Sequence, residues 1–300
     1  MLVSSPPLPV AALGPLLARR YRAPWLLEVR DIWPESAVSV GWLDRSSRAY
    51  RMLLRLAEGT TSRASAVIVP TPGLVERVRG HGARSVEVIP GPVVDEQRTP
   101  GTRDETRRRL GLADGDCVFC YLGAIGVANG IDTLLDAAAL LPPELPATLV
   151  VVGDGSGRSA IEARLAGDDA LRRVRILSPV PKDEVFDLLA ASDVCLHLLR
   201  PDPVFATALP SKVLDYFSAH RPFITTAAGL PAELARESGG EPAADAARLA
   251  DAIVRWTRLT PQERARAGER SYAYGAARFG IGETVDRLER LLLAPGRAAA

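Results

Sequence analysis

The sequence predicts an α/β protein with parallel sheets covered on both faces, divided into two domains. Three observations carry this. Short apolar runs alternate with amphipathic helical stretches along the whole chain. Those runs are almost continuously apolar, as in strands buried on both faces. The run Pro90-Gly91-Pro92, followed by the polar stretch 95–106, interrupts the pattern like a linker.

In order, strands are predicted at 25–30, 66–70 and 86–90 before that interruption. After it they are predicted at 117–123, 147–153, 174–177, 194–198 and 223–226. Helices are predicted at 131–141, 157–165 and 182–191, and the tail 261–293 reads as helical with a break at Gly280-Ile281-Gly282. The boundary falls after residue 92, giving domains 1–92 and 93–275 and a final helix at 276–300. No solenoid-type repeat is present.

With 47% hydrophobic residues in 300, a large core is available. The 37 Lys and Arg balance 36 Asp and Glu, leaving a net charge of +1 and no global field for nucleic acid. Three cysteines exclude a disulfide scaffold and fit a reducing cytoplasm. No apolar run has membrane-spanning length, and the segment from Met1 to Pro7 has neither the basic start nor the apolar stretch of a signal peptide. A cytoplasmic protein is expected.

The stretch Pro210-Ser211-Lys212-Val213-Leu214-Asp215 follows a strand and a turn-rich run and opens a helix. Free N–H groups and the helix dipole favour an anion there, and Lys212 adds a point charge. This fits a seat for a phosphorylated ligand; an ordinary strand-to-helix turn with Pro at its start is the rival reading. Two glycine turns follow predicted strands. One is Tyr121-Leu122-Gly123-Ala124-Ile125-Gly126-Val127-Ala128-Asn129-Gly130, the other Gly153-Asp154-Gly155-Ser156-Gly157. Glycines let backbone approach a ligand, but the spacing is neither the dinucleotide fingerprint nor a P-loop. Asp154 alone reads as a turn residue. In Ser178-Pro179-Val180-Pro181-Lys182-Asp183-Glu184, backbone near Val180 can read a base edge, while Asp183 and Glu184 complement the helix dipole.

Glu28, Arg30 and Asp31 stand at a strand end in Leu27-Glu28-Val29-Arg30-Asp31-Ile32-Trp33-Pro34-Glu35, where they must pair or face a cleft. Arg45, Arg48, Arg51 and Arg55 recur at helical spacing. They form a solvated face, or else contact an anionic lipid surface or a lipid pyrophosphate. Cys117 and Cys120 lie three apart in a strand and so point to opposite faces. With Cys195 they read as core thiols, not metal ligands. Asp114-Gly115-Asp116 reads as a turn. His81 is expected exposed, His197 within a strand and His220 at a helix end, with no Ser-His-Asp arrangement.

Taken together in this order, Glu28 to Ala37, Ile89-Pro90, Tyr121 to Asp132, Val152 to Gly155 and Leu209 to Phe217 make the chain resemble the retaining sugar-nucleotide glycosyltransferases of family four, most closely a fucosamine-transferase-like branch of envelope polysaccharide synthesis. The resemblance spans most of the chain. It implies a GT-B type fold of two Rossmann-like domains facing a cleft, with the nucleotide sugar on the second. It implies that Gly123 and Gly126 lie near the donor phosphates, that Val180 contacts the base, and that Ser211, Lys212 and Lys182 neutralise the diphosphate. Thr207 and Asp215 occupy the ends of the family's Glu-x7-Glu element, where Thr replaces the first acid and Asp the second. Arg30 and Asp31 fall where many relatives place a catalytic-site histidine.

The glycine-rich loop with which the family begins is missing, so the first domain, on the acceptor side, is expected to be incomplete, with an exposed apolar sheet edge. An oligomeric or poorly soluble chain is expected; light scattering from a well-behaved monomer would count against this.

The reading is a cytoplasmic, metal-independent hexosyltransferase-like glycosyltransferase. It needs no cofactor beyond its nucleotide-diphosphate sugar substrate and acts on a saccharide or polyprenyl-linked acceptor. Peripheral contact with the inner membrane face through Arg45, Arg48, Arg51 and Arg55 is a further expectation. An inactive nucleotide-binding relative or partner subunit is the main alternative, favoured by Thr207; a sugar-nucleotide epimerase is a weaker one.

Overall fold

The structure is a computed structural model and describes residues 1–39, 41–201 and 203–293. The chain forms two compact units. One comprises Met1–Gly91 with the described parts of 202–209 and 281–300; the other comprises Pro92–Pro201 and Pro210–Gly280. The fold class is the predicted one, an α/β protein with two parallel sheets belonging to two Rossmann-like domains.

In the first unit, β1 (Leu2–Ser5), β2 (Leu26–Val29), β3 (Ala66–Val69) and β4 (Val86–Val88) lie side by side in that order, all parallel. Side chains alternate across the sheet as the pleat requires. Leu27, Val29, Val67 and Val69 pack on one face with Trp25, Ile32 and Val78. Leu26, Ala66 and Ile68 pack on the other with Ile89, Leu288 and Leu291, the last two from the helix Ile281–Leu293. The helix Gly14–Tyr21 lies directly on the Trp25 ring, where a Cβ on Gly14 would come within 2.4 Å. β1 is an outer strand with Leu2 exposed, and Leu16 and Tyr21 of the neighbouring helix are exposed as well.

In the second unit the strands are β5 (Cys117–Leu122), β6 (Ala147–Val152), β7 (Val174–Leu177), β8 (Val194–His197), β9 (Phe223–Thr225) and β10 (Glu241–Pro242), ordered β10-β9-β8-β5-β6-β7 and all parallel. The order reverses at β5, with β6 on one side and β8 on the other. Ligands of open α/β sheets gather at the carboxyl ends of strands beside such a reversal. Cys117, Phe119 and Tyr121 face one core and Val118 and Cys120 the other. All three cysteines are free and buried, as core thiols should be.

The stretch 95–106, read from sequence as linker, is a correction. Residues Pro100–Arg109 form a helix. Its inward side chains include arginines, which hydrophobic patterning counts as solvent-facing. Arg107 is buried and donates to Asp193 Oδ2 at 2.7 Å and to the Ala191 carbonyl at 2.9 Å. Arg103 donates to Asp193 Oδ1 at 2.8 Å and to the carbonyls of Ala190 and Ser192. Ion pairing and the carboxyl-terminal carbonyls of the helix Lys182–Ala191 replace apolar contact as the glue.

Candidate functional site: a glycine-lined pocket on the second unit

The two glycine turns at the carboxyl ends of β5 and β6 are fastened to one another by backbone. Gly123 N–H donates to the Val152 carbonyl (3.0 Å), Ile125 N–H to that of Asp154 (2.8 Å), and Gly157 N–H to that of Ile125 (2.9 Å). Side chains have no room here. A Cβ on Gly155 would lie 2.5 Å from the Ile125 carbonyl oxygen, and Gly155 sits at φ +151°.

Facing these turns is the helix Ser211–Ser218, whose N-cap is Pro210, with no side chain capping its first N–H groups. Turns and helix enclose a pocket of about 460 Å³ lined by Gly123, Gly153, Val180, Ser211, Lys212 and Asp215, among others. Of the residues predicted from sequence, Gly123, Val180, Ser211, Lys212 and Asp215 are therefore brought together.

The pocket carries one cation and one carboxyl on the same helix. Burial strips water from the Lys212 ammonium and lowers its pKa to about 8. Burial pushes the Asp215 carboxyl up, with Lys182 pulling it back down. Lys182 is exposed at the first position of its helix and does not line the pocket. The Lys212 ammonium stands 3.3 Å from the Tyr121 hydroxyl and 4.3 Å from the centre of its ring. At the end of β8, buried His197 shares a 2.8 Å hydrogen bond with the Thr225 hydroxyl. Burial first, then the Lys212 charge, lowers its pKa to about 3, so the ring is neutral.

The remaining predicted residues lie elsewhere. Gly126 does not line the pocket; its N–H donates to Asn129 Oδ1 (3.2 Å) in the turn that follows β5. Thr207 belongs to the first unit, where its carbonyl accepts from the Thr71 hydroxyl (2.9 Å) and its side chain fills the space a Cβ on Gly73 would need. Arg30 and Asp31 also belong to the first unit and are exposed. Asp31 Oδ1 caps the following turn, accepting from Ile32 N–H (2.9 Å) and the Ser36 hydroxyl (2.5 Å). Glu28 accepts from the Ser4 hydroxyl.

His81, expected exposed, is a second correction. It is half-buried, with Nε2 3.1 Å from Glu35 Oε1 and both side chains less than 15% exposed. Arg48, Arg51 and Arg55 are exposed on the helix Arg48–Thr61. Arg45 precedes that helix, which Ser47 caps by accepting from Tyr50 N–H (3.0 Å); the Arg45 guanidinium instead lies over the Tyr50 ring. Among the described residues no group of three or more His, Cys, Asp or Glu is placed to hold a metal, and no helix is long and apolar enough to cross a membrane.

Sequence comparison matches residues 116–258 to the family described as glycosyl transferases group 1, and residues 1–92 to the glycosyl transferase 4-like domain. The probable glycosyltransferase WbjE of Pseudomonas aeruginosa is 29% identical over 213 residues, covering 70% of this chain and 52% of that protein. The 2-deoxystreptamine glucosyltransferase of Streptomyces kanamyceticus is 26% identical over 249 residues, covering 74% and 62%. The chain thus spans about half the length of the first of these relatives and under two thirds of the second. Among solved structures, Anabaena HepE in complex with UDP-glucose superposes with a TM-score of 0.78 at 20% identity, over 98% of this chain and 78% of that one.

Proposed function

We propose that this chain, which belongs to the group 1 glycosyltransferases, binds a nucleoside-diphosphate sugar in the pocket of its second unit and passes the sugar to a saccharide or lipid-linked acceptor. One observation carries the reading. The uncapped amino terminus of the helix at Ser211, the Lys212 ammonium and the backbone of two glycine turns converge on one 460 Å³ pocket. Such a surface suits a diphosphate.

In the transfer, the bond between the anomeric carbon and the diphosphate oxygen breaks, and the electron pair leaves with the diphosphate. An acceptor hydroxyl oxygen bonds to that carbon, and its proton passes to the departing diphosphate oxygen. The chain's contribution is to hold the donor and stabilise negative charge on the departing diphosphate through helix N–H groups and Lys212. Asp215 is assigned to the donor's ribose, Val180 to the base, and Lys182 to the outer field of the site. Retention at the anomeric carbon follows the family resemblance. A role in glycoconjugate synthesis follows the family resemblance. Because HepE was solved with UDP-glucose, UDP is the first probe.

Calorimetric titration with UDP and GDP, followed by a donor-hydrolysis and transfer assay, tests this. Saturable diphosphate binding that Lys212→Met weakens about 10- to 100-fold is expected; absence of binding to any nucleoside diphosphate would refute it. Thr207 favours a second reading, a nucleotide-binding protein without turnover, because its carbonyl and side chain are engaged with Thr71 and Gly73. Binding without hydrolysis or transfer is its signature. Peripheral membrane contact is also proposed, through exposed Arg45, Arg48, Arg51 and Arg55 together with Trp42, which is 78% exposed.

A further inference from the structure

The sequence contains only two lysines, Lys182 and Lys212, among 37 basic Lys and Arg residues. Nearly every other cationic task is given to arginine, so a lysine at 212 calls for a local reason. The space supplies one. The ammonium sits 2.7 Å from where a Cβ on Gly123 would project, the Tyr121 hydroxyl lies 3.3 Å from that same point, and the centre of the Tyr121 ring is 4.3 Å from the ammonium. A compact point charge fits that gap; the planar guanidinium fork of arginine is wider.

Tyr121 is itself held. Its hydroxyl donates to the Ala124 carbonyl at 2.7 Å, within the glycine turn. That fixes the direction of the hydroxyl and leaves an oxygen lone pair for the Lys212 ammonium at 3.3 Å. The ring face, 4.3 Å away, adds cation–π attraction in a partly desolvated place.

We infer that Tyr121 is a positioning residue for Lys212, holding the ammonium at the pocket wall beside Gly123 so that it meets the donor's diphosphate already oriented. The inference rests on the donor-binding reading above, but the contact itself exists without ligand and can be tested without it. The charged and titratable groups around Lys212 are Tyr121 on β5, His197 on β8, Asp215 on its own helix, Lys182 beyond Asp215, and Asp154 on the pocket rim.

The two lysines make the test direct. In protein carrying 13C- and 15N-labelled lysine, only two side-chain signals are present, and Lys182 serves as the internal control. In the wild type the Lys212 Hε protons are expected upfield of those of Lys182, shifted by the Tyr121 ring current, with Overhauser contacts to that ring. Tyr121→Phe removes the hydroxyl acceptor. It is expected to lower the titration midpoint of Lys212, leave that of Lys182 in place, and weaken UDP about 3- to 10-fold while uridine affinity holds. An unchanged Lys212 midpoint in Tyr121→Phe overturns the inference. So do wild-type Lys212 shifts at the values of a free lysine, a result that stands even where the variant fails to fold. If the wild type shows the ring contact and the variant shows the shift, yet no nucleoside diphosphate binds, the positioning stands and the donor-binding reading falls.

Discussion

The carbonyl oxygen of Gly123 lies 1.8 Å from the point where a Cβ on Gly153 would sit. The two strand-end turns therefore touch through bare backbone, and neither main chain can retreat without opening the sheet between β5 and β6. Gly153→Ala is expected to destabilise the protein by about 2 kcal/mol or more and to abolish nucleotide binding, since both turns line the pocket. Gly167, the last residue of the helix Arg158–Gly167, has nothing within 4 Å of its would-be Cβ, so Gly167→Ala is expected to be neutral or slightly stabilising. Urea unfolding of the two variants side by side checks the contrast.

Asp193 organises the interior of the second unit. Burial works to raise its pKa, but Arg103 and Arg107, with Val118 N–H and Arg264, hold the carboxyl below the usual range. A carboxyl whose folded pKa is depressed contributes stability above its unfolded pKa, and that contribution drains away as pH falls through the folded value. Asp193→Asn leaves buried guanidinium groups unpaired. It is expected to cost about 3–5 kcal/mol at neutral pH and to flatten the acid limb of the stability profile below about pH 4. Denaturant titrations from pH 7 down to pH 2 read both effects.

These two cases mark where the sequence was legible. The central strands Ala66–Val69, Cys117–Leu122 and Ala147–Val152 announced themselves because their residues are apolar on both faces, whereas the two-residue edge strand Glu241–Pro242 left no such signal. Gly123, Ser211, Lys212 and Asp215 stood out through glycine turns and a Pro-Ser helix start, signals that an ordinary strand-to-helix turn shares. The helix Pro100–Arg109 was invisible because its inward contacts are guanidinium groups, and periodicity does not register an arginine that pairs inside. His81 was misplaced for a related reason: flanking glycines suggest an exposed turn, while its partner Glu35 lies 46 residues away. Nor does any local pattern announce that Thr207 belongs with Thr71 and Gly73, a pairing set by the path of the chain over 136 residues.

Lys212 gives nucleotide binding a predictable pH dependence. Its amine has a pKa lowered to about 8 by burial, so it is losing its proton just above neutrality. A diphosphate binds the protonated form, so affinity for UDP is expected to hold below about pH 7.5 and to fall as pH rises through 8. Lys212→Met should weaken UDP about 10- to 100-fold at pH 7, the range of a lost hydrogen bond to a charged group, and should remove the decline between pH 7.5 and 9. Titration calorimetry across that range separates the two proteins. A decline that survives in Lys212→Met assigns the proton to another group.

Membrane contact has a quantitative signature. Arg48, Arg51 and Arg55 project from one helix into solvent, and Trp42 is exposed in the segment leading to it. Each basic side chain near an anionic surface contributes about 1 kcal/mol, and the attraction is screened by salt. Replacing the three arginines by alanine should then reduce partition onto phosphatidylglycerol vesicles about 100-fold, with little change on phosphatidylcholine vesicles. Trp42→Ala should weaken both, because an interfacial ring inserts regardless of headgroup charge. Sedimentation with vesicles at 50 mM and at 500 mM salt checks this. A binding difference between wild type and the triple variant that disappears at high salt supports an electrostatic dock, whereas equal sedimentation at low salt leaves the arginines as a solvated face.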